Sequence, residues 1–209
     1  MRSKVGKTDS FRMKLTALLI AGGDSRRMGR DKATIIFRGK PLWERQLGLV
    51  RELRPQKVVI SARTEPAWMP DDAELLLDDP PSRGPLSGLS KALATLRTTH
   101  LLVLAVDMSF MTAEELASLC ELATEGRGVV PVIGERAEPL AAIYPAEATL
   151  DFQAALMGLD SSLQSVVRKL ALVGKVMLWP VRDARANLYQ SLNEPGDIKE
   201  GRFLNRPPS

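Results

Sequence analysis

Two places in the chain combine residue types that can do chemistry on a phosphate. The first is LTALLIAGGDSRRMGRDK, residues 15–32. Its apolar opening, residues 15–21, is too short for a membrane span and reads as a strand buried on both faces. Gly22 and Gly23 follow at once. Glycines directly after a buried strand let the backbone turn sharply and bring its N–H groups close to a ligand. Arg26, Arg27, Arg30 and Lys32 then put cationic donors within reach of anything those groups hold. The second place is Asp107, which ends the apolar run 101–106. A lone carboxylate facing a phosphate site suits Mg2+, which takes one or two protein carboxylates and fills its shell with phosphate oxygens and water. A nucleotide polyphosphate fits both places.

No covalent nucleophile and no general base stand out. His100 is expected at the edge of a strand and Cys120 on a packed helix face, and neither has a sequence partner for triad or zinc chemistry. That suits one class of reaction. A phosphate monoester is already an anion near neutral pH and attacks another phosphate without being deprotonated. The protein then has to supply alignment and charge neutralisation at the phosphoryl oxygens. The expected assignment is Lys32 on the α-phosphate, Arg27 on the β- and γ-phosphates, and Asp107 on the metal.

The first loop is no generic nucleotide motif. Five residues separate Gly23 from Gly29, and Arg30 stands where Walker A needs lysine. Side-by-side glycines also fail the dinucleotide fingerprint.

Bulk properties narrow the class further. At 209 residues, with 44% hydrophobic and 26% charged side chains, the chain has the make-up of an ordinary soluble globule. No run approaches the ~20 apolar residues of a membrane helix. The basic start MRSKVGKTDSFRMK lacks an apolar core, so it does not read as a secretory signal. With one cysteine no disulfide forms within the chain, and a cytoplasmic protein is expected. A net charge of +4 would suit nucleic acid or a phosphorylated small molecule. Nucleic acid is disfavoured, because basic residues are dispersed and no aromatic stacking platform accompanies them.

The elements that must position these residues alternate. Strands are expected at 15–21, 57–61, 74–78, 100–106, 128–133, 140–144 and 175–181, with a short strand-like run inside 33–42. Helices are expected from Pro41 to about Leu53, then at 86–96, 112–125, 148–159 and 162–170. Thr112-Ala113-Glu114-Glu115 reads as a capping box. Asn193 would cap a last short helix. Residues 1–13 and 201–209 read as loose tails around a single domain over 14–200. Such alternation implies a mainly parallel sheet covered on both faces, with ligands bound outside the carboxyl ends of its strands.

The pattern A-G-G-x-S-x-R-M-G-x-D-K at residues 21–32 closely resembles the signature of nucleotidyltransferases that activate sugar and cofactor phosphates. It is most similar to the molybdenum cofactor guanylyltransferases. Gly84-Pro85-Leu86-Ser87-Gly88 matches their second motif, G-P-L-[AS]-G. The resemblance implies a three-layer α/β/α sandwich, with a Rossmann-like mainly parallel sheet of the nucleotide-diphospho-sugar transferase type. It implies GTP as donor, Mg2+ as cofactor and the phosphate of molybdenum-bound molybdopterin as acceptor. Molybdopterin-synthesis proteins and recipient molybdoenzymes would be partners; nucleic acid and membranes would not. The nucleotide would meet Ile20, Ala21, Gly22, Lys32, Ser61, Asp78 and Asp107, with Ser61 and Asp78 on the nucleoside. Asn193 stands where the family has a late asparagine that shapes the second-substrate region.

The chain departs from the family in two places. Ser61 stands where asparagine is frequent, and Ser109 replaces the proline of Asp-x-Pro, which predicts a looser loop after Asp107. Asp79 also competes with Asp78 for the nucleoside position. The related cytidylyltransferases read Ala-Ala-Gly in place of Ala21-Gly22-Gly23, and losing a methyl beside the base leaves room for a purine. A cytidylyltransferase or sugar-phosphate nucleotidyltransferase of the same chemistry is the nearest alternative. A non-catalytic GTP-binding maturation factor for molybdoenzymes is the alternative from another class.

Overall fold

The computed structural model describes residues 13–22, 31–79, 81–158 and 162–192. Its elements are β1 (Leu15–Ile20), β2 (Ile36–Phe37), β3 (Lys40–Pro41), α1 (Leu42–Glu52), β4 (Lys57–Ala62), β5 (Glu74–Leu77), α2 (Pro85–Ala94) and β6 (His100–Ala105). They continue with α3 (Ala113–Leu122), β7 (Gly128–Ile133), β8 (Arg136–Ala137), β9 (Ala141–Pro145), α4 (Thr149–Met157), α5 (Leu163–Leu172) and β10 (Val176–Pro180). The sheet runs β10-β7-β9-β6-β1-β4-β5, with β8 paired onto β7. β1 lies parallel to β4 on one side and to β6 on the other. Every residue of β1 and of β6 is buried, Thr16 and His100 included, as in strands covered on both faces.

Alternate residues of the strands feed two separate cores. Leu15, Ala17, Leu19, Leu102 and Leu104 pack with α1 and α3. Leu18, Ile20, Leu101 and Val103 pack with α2, α4 and α5. This is the expected three-layer sandwich. It is mainly parallel but not wholly so, because β9 runs antiparallel to both β6 and β7. Among the described residues no helix is long and apolar enough to cross a membrane.

Several local expectations change. Helix α3 stops at Leu122 instead of Glu125, because Thr124 and Arg127 pair across a turn that holds Gly126 at positive φ. Only half of the capping box forms. Thr112 Oγ1 accepts the Glu115 N–H at 3.2 Å, but the Glu115 carboxylate is buried elsewhere, between Tyr189 and Arg185. Residues Asp183–Tyr189 form a 3-10 helix that the sequence did not announce. The 1–12 tail, Asn193 and everything after it lie outside the described residues.

His100 is the first residue of a central strand, and it is fully buried. Its Nε2–H donates to the Thr124 carbonyl at 3.1 Å. Burial depresses its pKa more than the carbonyls of Arg127 and Thr124, or Glu147, raise it. The folded state therefore favours the neutral ring, and stability is lost as pH falls below about 6.5, the ordinary histidine value. Urea titrations at pH 7.5 and 5.5 are expected to show this loss in the wild type, with a smaller difference in His100→Gln.

Helix α2 sits close upon β4 because Gly88 has no side chain. A Cβ built there would lie 2.3 Å from Ser61 Oγ and 3.0 Å from Ser61 Cβ. Gly88→Ala is expected to cost roughly 1–3 kcal/mol through overpacking, read as a lower urea midpoint at constant slope.

Candidate active site

Because β1, β4 and β6 are parallel neighbours, their carboxyl ends share one rim. Ile20 pairs with Ser61 on one side and with Ala105 on the other. Val106 N–H donates to Ile20 O at 3.0 Å, which carries the register past the strand ends. Ala21 and Gly22 leave β1 at this rim. The glycine N–H groups are expected to face a ligand, but that of Gly22 donates to the Ser61 carbonyl at 3.1 Å, as that of Ala21 does at 2.9 Å. Ser61 thus fixes the exit of the loop with its backbone. Gly23, Arg26, Arg27, Gly29 and Arg30 lie outside the described residues.

Lys32 re-enters the rim on a one-turn 3-10 helix, Lys32–Thr34. Asp31 starts that turn: its Oδ1 accepts the Ala33 N–H at 2.9 Å and its carbonyl accepts Thr34 Oγ1 at 2.8 Å. From there Lys32 Nζ reaches Asp107 Oδ2 at 3.3 Å. The two side chains are 22% and 23% exposed, so each stays open to a ligand while partly shielded from water. The expected phosphate cation and the expected metal carboxylate are therefore adjacent, across 75 residues of sequence.

The loop carrying Asp107 is tied down, contrary to the looseness expected from Ser109. Ser109 N–H donates to the Asp107 carbonyl at 2.9 Å, a bond that proline cannot make. From α1, Gln46 Nε2 donates to Met108 O at 2.7 Å and Arg45 Nε to Ser109 O at 3.0 Å. From the far end of the chain, Leu192 N–H donates to Asp107 O at 3.0 Å. The segment that ends in Leu192 is clasped to α3: Tyr189 OH and Arg185 Nη1 each donate to the Glu115 carboxylate at 2.8 Å. Burial, then the hydrogen bond to Glu115, pushes the Tyr189 phenol up, so it stays a donor throughout the useful pH range. Arg45 and Tyr189 carry no signal in the sequence; Gln46 shows only by its spacing on the helix face and Glu115 only in an apparent capping box.

On the opposite side of β1, Ser61 Oγ donates to Asp78 Oδ1 at 3.3 Å and Ser82 Oγ to Asp78 Oδ2 at 2.8 Å. Asp79 turns outward to Lys91 at 2.8 Å and is 81% exposed. Asp78, not Asp79, is thus the carboxylate organised at the rim. Ser82 and Ser87 also hold the start of α2, with Ser82 Oγ accepting Gly84 N–H at 3.1 Å and Ser87 Oγ accepting Arg83 N–H at 2.8 Å. The second glycine-containing motif and the first loop therefore meet at Ser61. The rim offers a carboxylate with serine hydroxyls at one end and a lysine–carboxylate pair at the other, with the β1 exit between them. That arrangement can seat a nucleoside and its polyphosphate.

Residues 17–174 match the MobA-like NTP transferase domain. The molybdenum cofactor guanylyltransferase of Pseudomonas fluorescens is 34% identical over 201 residues, covering 92% of this chain and 98% of that one. The probable molybdenum cofactor guanylyltransferase of Opitutus terrae is 34% identical over 186 residues, 88% of this chain and 92% of its own. In three dimensions the chain is similar to molybdopterin-guanine dinucleotide biosynthesis protein A from Archaeoglobus fulgidus, with a TM-score of 0.67 and 24% identity over 88% of this chain and 95% of that one. It is also similar to 2-C-methyl-D-erythritol 4-phosphate cytidylyltransferase from Thermus thermophilus, with a TM-score of 0.64 and 18% identity over 90% and 96%. The domain match and the identity over nearly the whole length of both relatives agree, and this chain belongs to the MobA-like NTP transferase family.

Proposed function

We propose that this protein transfers GMP from GTP to the terminal phosphate of molybdenum-bound molybdopterin, forming the guanine dinucleotide cofactor and releasing pyrophosphate. The observation that carries the site assignment is the approach of Lys32 Nζ to Asp107 Oδ2 at 3.3 Å on the rim that β1 and β6 share. The reaction follows from charge. The acceptor phosphate attacks the α-phosphorus of GTP in line, the new P–O bond forms as the bond to the β-phosphate oxygen breaks, and pyrophosphate carries the electron pair away. No proton has to be removed from the attacking phosphate. Lys32 swings from Asp107 to the α-phosphate oxygens and offsets their charge at short range. Arg27 takes the corresponding role at the β- and γ-phosphates. Asp78, aligned by Ser61 and Ser82, faces the nucleoside.

The donor set at Asp107 fits Mg2+. The carboxylate is hard, partly exposed and bonded to Lys32 through Oδ2 alone. Among the described residues no cluster of three or more His, Cys, Asp or Glu side chains could cage a metal. One carboxylate with substrate phosphates and water is a usual magnesium environment. Bound there by Asp107, the ion would offset charge on the triphosphate. Molybdopterin-synthesis proteins and recipient molybdoenzymes would supply the acceptor and take the product.

The fold alone does not choose the base, since guanylyl- and cytidylyl-transferring neighbours are matched about equally well, with TM-scores of 0.67 and 0.64. Guanine rests on the curated relatives at 34% identity and on Gly22. A Cβ at Gly22 would lie 3.5 Å from Ala62 Cα and Arg63 N, an ordinary contact. Packing among the described residues therefore does not demand glycine there, which is consistent with room kept for a ligand. Gly22→Ala is expected to fold with wild-type stability and to lose about tenfold in affinity for GTP relative to CTP, about 1.4 kcal/mol. Unchanged selectivity in calorimetric titrations would remove Gly22 from base choice.

Lys32→Ala is expected to cut pyrophosphate release from GTP and molybdopterin by roughly 100-fold or more, the scale for losing one charge-stabilising group. Its thermal midpoint should stay within a few degrees of the wild type. Undiminished turnover would remove Lys32 from the reaction, and GTP binding without any pyrophosphate release by the wild type would favour a non-catalytic maturation factor.

A further inference from the structure

The same carboxylate that caps the Lys32 turn is held from its other side by a tryptophan. Asp31 Oδ1 accepts the Ala33 N–H, while its Oδ2 accepts Trp68 Nε1–H at 2.9 Å. Trp68 comes from the loop between β4 and β5, 37 residues further on. It is not free to wander, because its ring stacks on Trp43 of α1 with centroids 5.2 Å apart and planes 9° from parallel. Both indoles also pack against the core under α1. A fixed ring thus donates to a carboxylate that in turn fixes the backbone from which Lys32 departs.

The turn needs such a hold. Three residues of 3-10 helix make few bonds of their own and have little intrinsic stability. A hydrogen bond to an ionised carboxylate is about twice as strong as one between neutral groups. It also fixes the plane of the Asp31 carboxylate, and with it the direction of the bond to Ala33 N–H. Lys32 has four side-chain torsions to settle after that, so its reach to the rim depends on where its Cα stands.

We infer that Trp68 is a positioning residue for Lys32, acting through Asp31: the stacked indole sets the 3-10 turn so that the ammonium meets the triphosphate at the rim. The inference rests on the proposed role of Lys32 as a phosphate ligand. Phenylalanine at position 68 keeps an aromatic ring against Trp43 but removes the N–H donor. Asparagine at position 31 keeps one oxygen for the Ala33 N–H but turns an amide NH2 toward the indole donor.

The test is a thermodynamic cycle on GTP affinity by isothermal titration calorimetry, with Trp68→Phe made in the intact protein and in Lys32→Ala. Trp68→Phe is expected to weaken GTP about fivefold to tenfold when Lys32 is present, and by less than twofold when it is alanine. Asp31→Asn should reproduce the loss, and adding Trp68→Phe to it should cost nothing more. In the wild-type and Trp68→Phe pair kcat should fall with affinity, while thermal midpoints stay within a few degrees. An equal loss in both Lys32 backgrounds, or no loss in either, overturns the inference. Binding without turnover by the wild type removes only the transferase reading, and the cycle is then read on Kd alone. A wild-type protein that binds no nucleoside triphosphate overturns both.

Discussion

A lysine ammonium and an aspartate carboxylate meet at the rim because two fully buried strands lie side by side and run the same way. β1 ends at Ile20, twelve residues before Lys32, and β6 ends two residues before Asp107. Their register, with Ile20 opposite Ala105, brings these two exits level. A shift of one residue would turn every side chain of β1 to the other face and into the wrong core. The two cores fed by alternate residues of β1 and β6 therefore do more than stabilise the fold. They specify the register, and the register specifies the lysine–carboxylate contact.

Around that contact the chain uses backbone bonds to hold what side chains then offer to a ligand. The Ser61 carbonyl takes both N–H groups of the β1 exit, and its hydroxyl turns Asp78. The Asp107 carbonyl takes the N–H groups of Ser109 and Leu192, leaving the carboxylate to Lys32. Such a site is rigid where it is anchored and open where it acts, which is what electrostatic preorganisation requires. The buried Glu115 carboxylate extends the logic to the end of the described chain, since Tyr189 and Arg185 fix the segment that delivers Leu192.

Much of this was legible in the sequence, and the parts that were not have physical reasons. Buried strands such as residues 15–20 and 100–105 announce themselves as mostly apolar runs, and strand–helix alternation gives the layers. An apolar run carries no sign of its direction, so the reversal of β9 was invisible. Asp107 stands out because it directly follows a buried apolar run, and Lys32 because it closes the pattern A-G-G-x-S-x-R-M-G-x-D-K. Asp78 was separable from Asp79 only once Ser61, Ser82 and Lys91 had positions. Backbone acceptors leave no mark in composition, so the sequence points the Gly22 N–H at a ligand when the Ser61 carbonyl takes it. The looseness read into Ser109 failed for the converse reason: losing the proline ring gained an N–H. Trp68 and Tyr189 act over long sequence separations through single polar atoms, and no periodicity reports such pairs.

The central claim concerns where a nucleotide lies. A crystal structure of the protein with Mg2+ and a non-hydrolysable GTP analogue tests it most directly. The account predicts the guanosine beside Ser61 and Asp78, an α-phosphate oxygen within hydrogen-bond reach of Lys32 Nζ, and the metal on an Asp107 oxygen. A nucleotide seated away from the β1–β6 rim, or a Lys32 still paired with Asp107 and remote from every phosphate, would contradict it.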